Sequence, residues 1–287
     1  MIRGIVASSR PISWVNTAYP FAAAYLLAGG GVDWKFILGT VFFLFPYNLL
    51  MYGVNDVFDY ESDMRNPRKG GIEGAVLSKQ SHKALLIACA VCSLPFLIVL
   101  AAGGDAASNI TLAVSIFAVL AYSAPRLRFK ERPGLDSLTS AVHFVSPAVY
   151  GWVLAGSAVQ AEQWMVFMAF LLWGMASHAL GAIQDIIPDR EGGLGSIATV
   201  LSARKTIYLV LACYLLAGGL VAVGVSGIGR WAAVLSLPYV LNVLPHLGIS
   251  DASSGTVNRG WKRFLWINYL CGFLLTMLLI FSAFFTY

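Results

Sequence analysis

The feature that most constrains this chain is a succession of long apolar segments, each close to the length that crosses a bilayer. A helix needs about 20 consecutive apolar residues to span the hydrocarbon core. Only 11% of the 287 residues are charged, against about 25% in soluble domains. Nine such segments are predicted, at about 13–30, 34–56, 82–102, 107–123, 135–156, 163–185, 204–224, 230–248 and 262–286. The sequence therefore predicts an all-α polytopic membrane protein with nine transmembrane helices.

Basic residues are distributed unevenly over the loops that join these segments. Of the 19 Lys and Arg residues, all but Lys35 and Arg230 fall on one side of the predicted membrane. By the positive-inside rule that side is cytoplasmic. We predict an integral plasma-membrane protein whose N-terminus and Asp-rich loops are cytoplasmic and whose C-terminus lies outside. The net charge of +5 follows from this bias, so no nucleic-acid partner is expected.

A first acidic motif lies where the second apolar segment ends. It reads Asn55-Asp56-Val57-Phe58-Asp59-Tyr60-Glu61-Ser62-Asp63. On a continuous helix its amide and three carboxylates share one face, because they are three or four residues apart. Like charges at that spacing repel, whereas Mg²⁺ takes oxygen ligands and shares them with substrate phosphates. We therefore predict a divalent-metal site here, with a solvated acidic helix end as the alternative.

Two basic loops accompany this motif. The first contributes Arg65, Arg68 and Lys69 directly after the carboxylates, so metal ions and cations together would suit a diphosphate. The second joins the fourth and fifth segments and contains Tyr122, Ser123, Arg126, Arg128, Lys130 and Arg132. The competing interpretation is that these cations only express the positive-inside bias, and Arg128 and Arg132 could equally lie among lipid headgroups.

A second acidic motif closes the sixth segment. Asp185 and Asp189 are four residues apart and precede a Gly-rich loop, and Asp185 follows Asp56 by 129 residues. This repeat predicts one integral-membrane domain, 1–287, built from two four-helix halves at about 1–124 and 125–250 and a ninth helix at about 262–286. Pro188 is expected to kink or end its helix. The two motifs hold half of the 14 acidic residues, and acids at a membrane rim are costly unless they are functional.

Several polar residues lie inside predicted spans. Asn16 needs a polar partner or a cavity, so a helix–helix hydrogen bond and a substrate contact are both open. His143 and His178 are more typical of packed hydrogen-bonding groups than of ligands. The four cysteines all fall in spans, and Cys89-x-x-Cys92 is interpreted as packing.

With its residues described, the chain resembles the UbiA family of intramembrane prenyltransferases. The family signature N-D-x-x-D-x-x-x-D is matched by the first motif, and its second Asp-rich motif by Asp185 and Asp189. Its Tyr-Ser and basic loop correspond to Tyr122-Ser123 through Lys130. The tail Asn66-Pro67-Arg68-Lys69-Gly70-Gly71 and the short second motif are most similar to the carotenoid branch, which contains the lycopene elongases.

The resemblance implies a helical bundle with a central cavity that opens to lipid, in which Mg²⁺ ions hold the diphosphate of an allylic donor. It implies metal ligation by Asn55, Asp56, Asp59, Asp63, Asp185 and Asp189, with Asp56, Asp59, Asp185 and Asp189 also catalytic. The implied substrate-binding residues are Asn16, Arg65, Arg68, Lys69, Tyr122, Arg126 and Lys130.

The expected partners are the lipid bilayer, dimethylallyl diphosphate (DMAPP) as donor and lycopene as acceptor, giving C45 and C50 carotenoids. The predicted spans contain no interior Lys or Arg, and an uncharged polyene needs none. An aromatic quinone precursor is the alternative acceptor. A transporter of an anionic or isoprenoid substrate, and an isoprenoid-binding protein without catalysis, are the alternatives to an enzyme.

Overall fold

The computed structural model describes residues 2–64 and 77–285, apart from the side chains of Ser62, Asp63 and Phe285. Every regular element among these residues is helical, which confirms the predicted all-α class. The α-helices are α1 Ile2–Ser8, α2 Val15–Leu27, α3 Trp34–Leu44, α4 Pro46–Phe58, α5 Tyr60–Asp63, α6 Lys79–Gly103, α7 Ala106–Ser123, α8 Leu135–Leu154, α9 Ala161–Ile183, α10 Ile186–Glu191, α11 Ile197–Leu201, α12 Ala203–Gly224, α13 Leu237–Val243 and α14 Asn258–Phe285. Short 3₁₀ helices lie at Pro11–Ser13, Phe129–Glu131, Gly227–Ser236, Leu244–His246 and Asp251–Val257.

Seven helical stretches in the described part of the chain are long and apolar enough to cross a bilayer. The two predicted spans that do not meet this measure both contain helices. Helix α2 has 13 residues, fewer than a bilayer crossing requires. Helix α8 has 20 residues, but its Ser, Thr and His side chains make it less apolar. The chain is thus an integral membrane protein, while the count of nine spans and the orientation of its termini stay predictions.

The chain divides into two compact units. Unit 1 consists of Met1–Lys130 and Val142–Ala158, and unit 2 of Glu131–Ala141 and Val159–Tyr287. The halves expected from the repeated motif, and their boundaries, stay a prediction.

Aromatic rings form the centre of unit 1. Phe43 packs its ring 5.2 Å from that of Phe21, 5.0 Å from Tyr47 and 5.9 Å from Tyr150. All four rings are fully buried. Such edge-on and tilted pairs add to the free energy gained by burying apolar area, so this cluster fixes how α2, α4 and α8 pack.

A proline break separates α3 from α4. Pro46 has no N–H to donate to the Phe42 carbonyl, and Phe45, at φ −121° and ψ −60°, lies outside both helices. The Asn48 side-chain amide donates to the carbonyls of Phe43 at 2.8 Å and Leu44 at 3.1 Å, and to Thr17 Oγ1 at 2.7 Å. Since lipid offers no replacement donors, this buried amide allows the break to exist within a spanning segment.

A chain of hydroxyl hydrogen bonds also joins helices within unit 1. Ser146 Oγ donates to Ser115 Oγ at 2.7 Å, Ser115 Oγ to Tyr47 Oη at 3.1 Å, and Tyr47 Oη to the His143 carbonyl at 3.2 Å. This chain of hydrogen bonds connects α4, α7 and α8, so the polar side chains of α8 hold helices together.

Unit 2 is built on the pairing of α9 with α12. Tyr214 on α12 is 1% exposed, and its hydroxyl lies 3.1 Å from Ser177 Oγ on α9. Trp173 stacks on Phe264 of α14 at 5.9 Å, and Trp261 stacks on the same ring at 5.0 Å. These contacts bring the first turns of α14 against α9, next to the second acidic motif.

Two aspartates begin helices in the loops of unit 1. The backbone N–H of Phe36 donates to Asp33 at 2.9 Å, and that of Ser108 donates to Asp105 at 2.8 Å. Each N–H favours the charged carboxylate, and it therefore lowers the pKa of Asp33 and of Asp105 below the ordinary value. These are typical N-caps.

Candidate functional site

The first acidic motif lies at a break between two helices. Helix α4 ends at Phe58, Asp59 takes φ −103° and ψ 1°, and α5 starts at Tyr60. The predicted continuous helix from Asn55 to Asp63 is therefore wrong. The Asp59 N–H still donates to the Asn55 carbonyl at 2.9 Å, so the first three polar residues of the motif share the last turn of α4.

Asp56 is bound by Arg10, which in the sequence counted only as one of the basic residues on the predicted cytoplasmic side. Its Oδ1 accepts a hydrogen bond from Arg10 Nη2 at 3.1 Å, and the Asp56 side chain is 1% exposed. The Arg10 guanidinium lies 4.2 Å above the ring of Tyr52. The backbone of Arg10 has φ 49°, a left-handed conformation that an L-residue adopts at a cost. Arg10 therefore reaches Asp56 from a strained backbone conformation.

Asp59 is bound by two cations of the basic loop. Lys130 Nζ lies 2.5 Å from its Oδ1, and Arg128 Nη2 lies 3.7 Å from the same atom. Arg128 also donates to the Phe58 carbonyl at 3.3 Å. Arg128 therefore contacts the motif directly, and its alternative interpretation as a headgroup-facing residue is wrong. Lys130 contacts the predicted carboxylate cluster.

Of the remaining predicted residues of this loop, Ser123 contacts the first motif. Asn55 donates its amide to Ser123 Oγ at 3.0 Å. Tyr122 packs its ring edge-on against His143 at 5.2 Å. Arg126 has φ 74° and an exposed side chain. Ser123 thus lies at the Asn55 end of α4, and Tyr122 packs on α8.

Other predicted residues are not joined to this cluster by the described contacts. Asn16 is half-buried on α2. The side chain of Asp63 and the whole of Arg65, Arg68 and Lys69 lie outside the described residues. Their assignments stay predictions.

The second acidic motif, in unit 2, follows another helix break. Helix α9 ends at Ile183, and Asp185 takes φ −98° and ψ 1°. The Asp189 N–H donates to the Asp185 carbonyl at 2.8 Å. Helix α9 therefore ends before Pro188, and Pro188 itself lies inside the next helix, α10. The missing N–H of Pro188 cannot satisfy the Gln184 carbonyl, which accounts for a break at that position.

Side chains near the second motif serve mainly to hold its loops. Arg190 donates to Asp251 at 2.7 Å and to the Thr199 carbonyl at 2.9 Å. Asp251 in turn accepts from the Ala203 N–H at 2.7 Å. The motif is therefore fixed to the start of α12 and to the 3₁₀ helix before α14. Asp185 and Asp189 themselves are half-buried.

A buried carboxylate that the sequence did not single out supports the same region. Asp136 is 0% exposed and accepts from the backbone N–H groups of Gly134 at 2.8 Å and Ile197 at 2.7 Å. Its neighbour Ser137 has its hydroxyl 3.1 Å from His178 Nδ1. Asp136 thus attaches the loop after the second motif to the start of α8. In the sequence Asp136 is a single carboxylate without a second acidic residue at helical spacing.

The donor set of the first motif fits a magnesium ion that arrives with a phosphate. The Asp56 and Asp59 side chains are 1% and 3% exposed, and Asn55 adds an amide oxygen of the kind hard cations accept. Among the described side chains, no group of three or more His, Cys, Asp or Glu residues could hold a metal. Mg²⁺ commonly uses one or two carboxylates with substrate phosphates and water rather than a protein cage. The described carboxylates meet that requirement.

Known sequences resemble this chain over nearly its whole length. The UbiA prenyltransferase family profile matches residues 17–268. A lycopene elongase/hydratase of Corynebacterium glutamicum is 55% identical over 280 residues, with 97% of each chain covered. A C50 β-cyclic carotenoid biosynthesis protein of Dietzia sp. is 54% identical, over 96% of this chain and 64% of that protein.

Solved structures give the same fold. A UbiA homolog from Archaeoglobus fulgidus bound to DMAPP and Mg²⁺ superposes with a TM-score of 0.67 at 16% identity. The match covers 93% of this chain and 98% of that one. At this identity the likeness shows the helical arrangement and nothing finer.

Proposed function

Because the chain belongs to the UbiA prenyltransferase family, we propose that it transfers the five-carbon allylic group of DMAPP to lycopene, giving C45 and then C50 carotenoids. It is a prenyltransferase; the donor, the acceptor and the residues that act are our proposal. The observation that carries the proposal is the pairing of Asp56 and Asp59 with Arg10, Arg128 and Lys130. A diphosphate leaving group is stabilised by metal ions and by cationic side chains. In this cluster Arg10, Arg128 and Lys130 are the cationic side chains, and Asp56 and Asp59 are the proposed metal ligands.

The chemistry begins with heterolysis of the allylic C–O bond. The bonding electron pair leaves with the diphosphate, and the carbon is left as an allylic cation. Lys130 and Arg128, with Arg65, Arg68 and Lys69, would neutralise the leaving charge through charge-assisted hydrogen bonds. Arg126, in the same basic loop as Arg128 and Lys130, is proposed to bind the diphosphate with them.

Mg²⁺ is the metal we propose, held by Asn55, Asp56, Asp59 and Asp63 in one motif and by Asp185 and Asp189 in the other. When bound it would neutralise charge on the departing diphosphate. The solved UbiA homolog with DMAPP and Mg²⁺ supports this choice, as does the all-oxygen donor set.

The acceptor alkene then supplies the electrons for the new bond. A π pair of lycopene forms a C–C bond to the allylic carbon and leaves a tertiary cation on the acceptor. That cation either loses a proton or takes up water, which releases a proton from the added oxygen. The elongase/hydratase name of the C. glutamicum relative supports water uptake. Tyr122 and Asn16 are proposed to contact the substrate, Tyr122 through its aromatic face.

Pigment analysis of cells tests this proposal. Lycopene-producing cells that express the chain are expected to accumulate C45 and C50 products, and cells that express an Asp56→Asn variant are expected to keep lycopene. Prenylation of an aromatic acid with unchanged lycopene would reject the carotenoid acceptor and keep the prenyltransferase. Movement of labelled DMAPP across vesicles without any new C–C bond would favour the transporter.

A further inference from the structure

A cavity with cationic residues on its wall lies in unit 2, away from the acidic motifs. It is a cavity of about 610 Å³ between the 3₁₀ turn Leu244–His246 and the first turns of α14. Its lining residues are Pro245, His246, Thr256, Arg259, Lys262 and Arg263. Three of these six side chains are cations and none is a carboxylate, while most of the accessible lining is carbon. A ligand with both an anionic group and an apolar part would match this combination.

The three cations share one face of α14. Arg259 is three residues before Lys262 and four before Arg263, which places like charges one turn apart and destabilises a helix. All three are exposed, and within residues 2–64 and 77–285 none of them forms an ion pair with a carboxylate. A bound anion would convert this repulsion into attraction.

A histidine completes the cavity. His246 is half-buried, and in the described part of the chain its Nε2 is shielded from solvent without a hydrogen-bond partner. The ring packs against Gly260, where any Cβ would come within 2.8 Å of that nitrogen. The shielded nitrogen therefore faces α14 and not the open space of the cavity, so His246 packs the 3₁₀ turn against the helix that carries the cations.

We propose that this cavity binds the phosphate group of an anionic ligand, with the headgroup of an acidic phospholipid as its source. Arg and Lys pair with phosphate oxygens through charge-assisted hydrogen bonds, and cations at a membrane surface attract anionic lipids. Apolar surface for acyl chains is close in sequence on both walls, since Leu241, Leu244 and Trp266 are 64%, 41% and 75% exposed.

The cavity is connected to the second acidic motif by one hydrogen bond. Asn258, next to Arg259, donates to Gln184 Oε1 at 2.6 Å, and Gln184 precedes Asp185. An anion that steadies the start of α14 therefore also steadies the end of α9. The site would couple lipid composition to the motif without sharing residues with it.

The positive-inside bias alone would also place cations at the ends of spans, and the chain provides a matched control for it. Arg204 and Lys205 are an exposed basic pair in the first turn of α12, on the same predicted side of the membrane. Lys262→Gln/Arg263→Gln and Arg204→Gln/Lys205→Gln each remove two positive charges, the first pair from the second turn of α14 and the other from the first turn of α12. Only the first pair lines the cavity.

The experiment measures lipid retained by the full chain. Protein in nanodiscs of phosphatidylcholine and phosphatidylglycerol is extracted gently, and bound lipid is counted by native mass spectrometry. Wild type and the α12 variant should retain phosphatidylglycerol, and the α14 variant should lose roughly 10- to 30-fold, at about fivefold per cation. Equal retention by the two double variants would overturn the proposal. Arg259→Gln, which leaves two cations, should give an intermediate loss and guards against an unfolded double variant.

A second arm identifies the source of the phosphate. Inorganic phosphate and inorganic diphosphate are titrated against the delipidated protein, without donor or acceptor. Binding that disappears only in the α14 variant, together with absent lipid retention, would support the phosphate site and assign it to a soluble ligand. Absence of both lipid and phosphate binding in wild type would overturn it.

Discussion

In the first motif Asp56 and Asp59 are almost fully buried against Arg10, Arg128 and Lys130, whereas in the second Asp185 and Asp189 are half-buried and the adjacent arginine binds Asp251. The backbone is alike in both, because Asp59 and Asp185 each lie in the break between two helices and have nearly equal φ and ψ. Similar local geometry has therefore been combined with different charge environments.

The difference indicates a division of work between the motifs. Buried carboxylates need counter-charges to be stable, and Arg10, Arg128 and Lys130 supply them in the first motif. Under the proposed function, these cations would turn toward the diphosphate once Mg²⁺ took their place at the carboxylates. Around the second motif, the arginine holds loops in place. We expect removal of a cation at the first motif to affect catalysis and removal of Arg190 beside the second motif to affect stability.

The largest expected effect comes from the carboxylates themselves. Asp56→Asn and Asp185→Asn should each lower the rate of prenyl transfer by about 10²–10³, the usual cost of removing one group that stabilises developing charge. Labelled-donor assays on membranes measure it, with EDTA as a parallel test of the metal. Glu61→Gln is the control, since Glu61 is exposed and pairs with Lys79 at 2.5 Å. Full activity of Asp185→Asn beside an inactive Asp56→Asn would show that only one motif is functional.

A smaller effect is expected from the cations of the first motif. Lys130→Met removes a charge 2.5 Å from Asp59 and should raise the KM for the donor about 10- to 100-fold, the equivalent of one charge-assisted hydrogen bond. Arg132→Met, two residues away and exposed, should change KM far less. Similar changes in both variants would mean that loop charge acts only through topology or lipid.

At the second motif the expected effect is on stability. Asp251→Ala removes the acceptor of the Ala203 N–H and should lower the free energy of unfolding by about 1 kcal/mol, as for a lost helix cap. Arg190→Gln breaks an ion pair that is partly exposed and should cost less. Thermal unfolding in detergent compares the two. A large loss of activity in Arg190→Gln with unchanged stability would reverse the division of work proposed above.

The smallest effect is expected from an Asp→Asn change outside both acidic motifs, at Asp105. The pKa of Asp105 is lowered in the folded chain, so its contribution to stability is present at neutral pH and is lost as the pH falls through that lowered value. Asp105→Asn keeps a good N-cap and should leave activity unchanged while making the melting temperature slightly less sensitive to acid. Melting curves at neutral and acidic pH measure it. An inactive Asp105→Asn would show that Asp→Asn changes act through folding.

Periodicity and spacing predicted the helical class, the two acidic motifs and Lys130, because those features are local in the sequence. Arg10 could not be found in this way, since 46 residues separate it from Asp56 and only tertiary packing brings the two together. The break at Asp59 was missed because its neighbours carry no proline or glycine. Asp136 was missed because a single carboxylate that binds backbone N–H groups has no spacing to recognise.

The amide of Asn48 has a mechanical consequence. It sits where Pro46 divides one spanning segment into two, and Asp56 lies ten residues farther along α4, about 15 Å from the break at 1.5 Å per residue. A tilt of roughly four degrees at that pivot would swing the carboxylate by about 1 Å, and misplacement of that size can cost on the order of 10²-fold in rate. By fixing the angle between α3 and α4, the hydrogen bonds of Asn48 thus also fix the position of the Asp56 carboxylate.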